Sequence, residues 1–189
     1  KAKLIVREMT ELLSLDLVDK NLVTDQLTLT IGYDIENLAN PEISRSYKGE
    51  VTTDHYGRKV PKHAHGTANL DRQTASTMLI MKAVMELYER IVDKKLLVRR
   101  ITLTANRLVD AAAAHRQAVP EQLDLFTDYA ALEQQKAEEE AALEREKRMQ
   151  QAMLEIKKKY GKNAILKGMN LQEGATTIDR NKQIGGHKA

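Results

Sequence analysis

Hydroxyl, amide and guanidinium side chains recur at every second position in three stretches of this sequence. They are Thr28 and Thr30 in "DQLTLTIGYD" (25–34), Thr67 and Asn69 in "HGTANL" (65–70), and Arg100, Thr102, Thr104 and Asn106 in "VRRITLTANRLV" (98–109). Successive side chains of a strand point to opposite faces, so each set shares one face. Such groups, with backbone N–H and a few cations, are what a phosphate backbone needs, and their contacts position a nucleic acid without reading its sequence. The segment 45–73 adds Arg45, Lys48, Arg58, Lys59, Lys62 and Arg72 against Glu50, Asp54 and Asp71. An ordinary solvated sheet face is the competing reading, because antiparallel sheets often keep one face in water. Against it, the Lys and Glu pairs common on solvated strands are nearly absent from these positions.

Other chemistry is sparse. His55, His63 and His65 fall in the same basic segment, but without carboxylate or cysteine company at ligand spacing they make a poor metal site. No glycine-rich phosphate loop and no nucleophile–base constellation is present. One stretch poses a different question. "VPEQLDLFTD" (119–128) carries Phe126, the only phenylalanine of a chain without tryptophan, on a proline-led acidic connector. An aromatic ring is normally a large contributor to a core. Either it folds back and staples the connector, or it is displayed for a partner.

The elements that must position these residues are legible from periodicity. The chain enters a helical pattern at Lys1 without a cap, which reads as a chain cut from something longer. Ile5, Met9, Leu12 and Leu13 give that helix its expected apolar face. Leu27, Leu29, Ile31 and Tyr33 alternate with the threonines of the first strand. A polar stretch from 34 to 65 follows, broken by Pro41, Gly49, Gly57 and Pro61. After the short strand 65–70, a second helix from Thr74 to Asp93 is expected to bury Met78, Met81, Met85, Tyr88 and Val92. The last strand turns Ile101, Leu103 and Ala105 inward. Helix–strand–strand–helix–strand predicts an α+β domain, a small sheet with both helices on its apolar face.

The remainder divides into a linker over 111–127, a long charged helix over 128–160 with Asp128 as N-cap and Gly161 as stop, and a tail over 161–189 that reads as flexible in isolation. Pairs such as Glu144–Arg148 and Glu155–Lys159 support the helix at i,i+4. Its apolar spacing comes only late, at Met149, Met153, Ile156 and Tyr160, too short for a coiled coil, so a spacer docking at its end and a monomeric chain are expected. With 189 residues, no cysteine and a net charge of +3, the chain has no disulfides or thiolate metal sites, and its charge alone does not argue for nucleic acid. No apolar run approaches the ~18 residues that span a bilayer, and no signal-peptide pattern opens the chain.

Residues 1 to about 110 resemble the little-finger domain of Y-family, DinB/UmuC-type translesion DNA polymerases. The resemblance is carried by "KAKLIVREMTELL", "LTIGYD", "GEVTTDHYGRKVPKHAHGTANLDRQTAS", "IMKAVMELYERIV" and "LLVRRITLTANRLVD". It is nearest to UmuC-like proteins of Gram-positive bacteria, which the tail "KKKYGKNAILKGMN" also resembles. It implies a sheet lying in the DNA major groove and touching backbone, with the family's first strand and its palm, fingers and thumb not in this sequence. The Mg²⁺-holding carboxylates belong to that palm, so no residue here is expected to be catalytic and no cofactor is expected in this chain. Arg99 and Arg100 match the family's basic pair at the start of the last strand. With Thr28, Thr30, Lys59, Lys62, Thr67, Asn69, Arg72, Thr102 and Thr104 they are the expected DNA contacts. "QLDLF" is similar to the pentapeptide by which bacterial polymerases bind the sliding clamp. Gln122 would offer its amide to a polar subsite, and Leu125 and Phe126 would fill an apolar pocket. Leu123 would be a secondary anchor and Asp124 the tolerant position. The implied role is DNA repair by translesion synthesis, with an SOS-type response, in the bacterial cytoplasm at the nucleoid. A clamp-interacting regulator without polymerase activity and a protein-interaction scaffold remain the alternatives.

Overall fold

The computed structural model describes residues 1–115, 129–184 and 187–188. Helix α1 (Ala2–Asp19) leads into β1 (Leu22–Tyr33), the longest strand. Two short helices, α2 (Glu36–Ala39) and α3 (Pro41–Ser46), and a hairpin of β2 (Val51–Thr53) and β3 (Lys59–Pro61) occupy the polar stretch, where no regular element was expected. Then come β4 (Ala64–Thr74), α4 (Thr77–Ile91), β5 (Val98–Asn106), β6 (Val109–Asp110) and α5 (Ala111–His115). Helix α6 (Tyr129–Tyr160) precedes a 3₁₀ turn (Gly168–Leu171), α7 (Thr177–Arg180) and a minimal pair of β7 (Gln183–Ile184) and β8 (His187–Lys188).

Strand β1 is the centre of an antiparallel sheet ordered β4–β1–β5, with β6 pairing on its first residues. The alternation read from sequence sets its two faces. Leu27, Leu29 and Ile31 are fully buried beneath the helices, and Ala64, Ala68, Ile101, Leu103 and Ala105 pack against the same core. Gly66 stands opposite Leu29, where a Cβ would lie 2.9 Å from Leu87 Cδ1 and 3.1 Å from Ile91 Cγ2. The missing side chain lets α4 seat closely on β4.

Both helices cover the apolar face as expected, and Tyr88 of α4 and Val92 just after it are buried as expected, but the other helix positions expected to lie inward are not the deepest ones. In α1 the buried positions are Val6, Glu8, Thr10, Glu11, Ser14, Leu15 and Leu17; Ile5, Met9, Leu12 and Leu13 are half-buried. The hydroxyls of Thr10 and Ser14 donate to the carbonyls of Val6 and Thr10 at 2.8 and 2.9 Å, so small polar residues sit in the interior without an orphaned group. In α4 the core residues are Ile80, Val84, Leu87 and Tyr88. Met81 and Met85 are half-buried and Met78 is exposed. Ser76 caps α4, accepting from Leu79 N–H at 3.2 Å. The loop after it is fixed by buried Asn37, whose Oδ1 accepts from Leu97 N–H at 2.7 Å and whose amide donates to Leu97 O at 2.9 Å.

Helix α6 docks along more than its end. Glu146 accepts from Ser76 Oγ and, at 2.8 Å, from Met78 N–H, placing a carboxylate on the first turn of α4. Gln150 is buried and donates to Ala75 O at 3.0 Å and Thr77 Oγ1 at 2.9 Å; Lys158 pairs with Asp19. The segment beyond α6 is not isolated here: it returns to α1, where Glu8 is fully buried. That carboxylate accepts from Thr176 N–H at 2.8 Å, Thr176 Oγ1 at 3.0 Å, Thr177 N–H at 3.2 Å and Asn170 Nδ2 at 3.2 Å. No helix among the described residues is long and apolar enough to cross a membrane.

Candidate nucleic-acid interface

The register of the three strands turns the alternating polar residues into a grid. Asn69, Gln26 and Asn106 form one row, Thr67, Thr28 and Thr104 the next, and His65, Thr30 and Thr102 the third. Arg100 stands at the head of the grid opposite Gly32, where a Cβ would lie 3.4 Å from the Arg100 Cβ. None of these positions is acidic. Short cross-strand bonds order the β4 side of the face. Gln26 Nε2 donates to Asn69 Oδ1 at 2.9 Å, Thr28 and Thr67 hydroxyls meet at 3.3 Å, and Thr30 Oγ1 lies 2.9 Å from His65 Nδ1. Asn106 Nδ2 donates to Thr28 Oγ1 at 2.8 Å. Thr102, Thr104 and Arg100 are exposed on β5, and the two threonines make no side-chain hydrogen bond among the described residues.

Between the Gly32–Arg100 and Tyr33–Val98 pairs the ladder slips by one, so Arg99 is the extra residue of a β-bulge. Both arginines are exposed, and neither forms an ion pair among the described residues. The expected contacts thus divide. Thr28, Thr30, Thr67, Asn69, Arg100, Thr102 and Thr104 share one face, with Arg99 at its edge. Arg72 is paired instead with Glu139 of α6 at 3.1 Å, both partly exposed. Lys62 pairs with Glu50 at 2.6 Å on the hairpin, while Lys59 there has no ion-pair partner among the described residues. The hairpin stands at the Arg100 end of the sheet, since β3 runs into β4 through only Lys62 and His63. Gln26 and His65 were not among the expected contacts. Gln26 precedes the threonine run and His65 opens its strand, so only the register shows that they complete the rows.

The hairpin turn is itself ordered. Asp54 accepts from the backbone N–H of Tyr56 and of Arg58, each at 2.9 Å, and pairs with the Arg58 guanidinium at 2.7 Å. The Arg58 hydrogen bond holds the Asp54 carboxyl below the ordinary aspartate range and raises the guanidinium in turn. Gly57 takes the positive φ of 77° that closes the turn. His63 and His65 rings lie 6.4 Å apart, whereas His55 packs edge-on against Tyr56 at 5.4 Å, so the three histidines do not converge. Gln122, Leu123, Asp124, Leu125 and Phe126 lie outside the described residues.

Fold and face together define an α+β domain with two helices behind a three-stranded ladder and an open, uncharged-to-basic polar surface in front. The model of the impB/mucB/samB family C-terminal domain matches residues 1–125, and the chain belongs to that family, the C-terminal little-finger region of Y-family DNA polymerases. None of the curated proteins matches the chain.

Proposed function

We propose that this chain is the DNA-holding and clamp-tethering part of a translesion DNA polymerase. The observation that supports the DNA reading best is the acid-free grid headed by Arg100: donors spaced on a sheet beside cations that no carboxylate occupies. Such a surface holds phosphates and is indifferent to base sequence. Replacing Thr102 and Thr104 together by glutamate tests it. Both are exposed, so the melting temperature should stay within a degree or two. Binding to a primer–template should fall by at least about tenfold at moderate salt, through like-charge repulsion of phosphate. Unchanged binding would remove the sheet from the interface and favour the scaffold alternative.

The tether reading rests on the "QLDLF" sequence alone. An extended peptide with two adjacent apolar anchors suits a pocketed partner, and Pro120 lowers the entropy lost on docking. A synthetic peptide spanning 118–128 titrated with a bacterial sliding clamp should bind at about micromolar strength, and a peptide with Leu125 and Phe126 changed to alanine should not bind. No binding by the unaltered peptide would leave Phe126 as a local staple.

A further inference from the structure

The geometry points to a second contact on this surface: the ring of Tyr56, at the tip of the β2–β3 hairpin, is a stacking platform for an unpaired nucleobase. Tyr56 is 76% exposed, more than any other large hydrophobic residue among the described residues. A lone exposed aromatic is by itself unremarkable on a protein surface. Three further features separate this one from a stray ring.

The ring is held on a rigid mount. Asp54 ties both backbone and side chain of the turn, as described above, and the hairpin base is fixed by buried Pro61 and by Tyr47 Oη donating to Glu50 O at 2.7 Å. A preordered aromatic loses little entropy on binding. The ring already makes π contacts: the Arg58 guanidinium lies over it, 5.0 Å from the centroid, and the His55 ring packs against it in a T-shaped arrangement at 5.4 Å. At 76% exposure, most of the residue's surface remains open to a ligand. Finally the surroundings are cationic. Between residues 45 and 62 the two carboxylates, Glu50 and Asp54, are paired with Lys62 and Arg58, which leaves Arg45, Lys48 and Lys59 without an ion-pair partner among the described residues. Aromatic stacking beside unpaired cations is the recognised way of holding single-stranded nucleic acid without sequence preference. In sequence the ring is flanked by Asp54, His55, Gly57 and Arg58, so the turn itself offers an apolar partner no second anchor.

The assignment rests on the reading of the sheet as a DNA platform, because the hairpin projects from the Arg100 end of that sheet and would meet the strand continuing past a duplex held there. The test uses the full chain and two probes: a blunt DNA duplex, and the same duplex with a 5′ single-stranded extension carrying 2-aminopurine. Tyr56→Ala should bind the extended probe about tenfold more weakly and abolish the 2-aminopurine quenching seen with wild type, while duplex affinity and melting temperature stay unchanged. Tyr56→Phe should behave as wild type. Equal affinity and equal quenching for Tyr56→Ala and wild type on the extended probe would overturn the assignment, and so would absence of wild-type binding to either probe. If instead Tyr56→Ala is impaired on the extension while Arg100→Ala binds duplex normally, the hairpin contact stands and the sheet platform falls.

Discussion

Glu8 shows how much one buried side chain can organise. Burial, the largest single influence, would raise its carboxyl, but the hydrogen bonds from Thr176, Thr177 and Asn170 together outweigh it and hold the group below the ordinary glutamate range. A carboxylate depressed on folding adds stability above its unfolded pKa and loses it as pH falls through the folded value. The docking of residues 167–180 on α1 should therefore be complete at neutral pH and weaken below about pH 4, read as increased protease cleavage in that segment. Glu8→Gln should destabilise the protein by about 2–4 kcal/mol at pH 7 in a denaturant melt, since an amide brings donors against donors that need an acceptor. A change below 0.5 kcal/mol would mean that the carboxylate does not hold the tail. Nothing in the sequence marked Glu8: its partners lie about 160 positions away, and local patterns carry no information at that range. The threonine rows were readable because a strand repeats every two residues, while Gln26 and His65 joined them only through register.

At the scale of elements, the strands were the legible part and the helix faces the less legible. One side of the sheet is covered and the other is not, so polarity alternates cleanly along β1 and β5. Helix α4 meets the sheet and α1, takes Glu146 of α6 on its first turn, and is apolar over most of its circumference. Periodicity then shows that it is buried but not which side lies deepest. The methionines fell on the flanks and Ile80, Val84 and Leu87 faced the strands. The close seat of α4 on β4 gives a prediction: Gly66→Ala should lower stability by about 1–3 kcal/mol, because Leu87 is buried and cannot swing away. Helix α6 gives another. Its Glu146 sits on the first turn of α4, and Glu146→Ala should lower stability by about 1 kcal/mol, through the lost capping bonds. An undiminished melt for Glu146→Ala would make α6 a passenger. The hairpin and the two short helices of residues 34–65 escaped the sequence reading because each is only three to six residues long, below the length at which periodicity speaks.

For the whole molecule, the arrangement is one-sided. Helix α6 and the returning C-terminal segment add to the layer that already holds α1 and α4, so the polar face of the sheet keeps Arg100, Thr102 and Thr104 exposed while the opposite side thickens. The family membership and this sidedness agree with a domain that lays one surface on a long anionic partner. If phosphate contacts carry that binding, its strength must fall with salt in proportion to the number of phosphates neutralised. The decisive measurement is the affinity of wild type and Arg100→Ala for primer–template DNA of several unrelated sequences across a salt series. Arg100→Ala should bind every sequence more weakly by a similar factor, and its slope of log affinity against log salt should be shallower by about one. Coincident lines for the two proteins would contradict the proposal that this sheet face holds DNA.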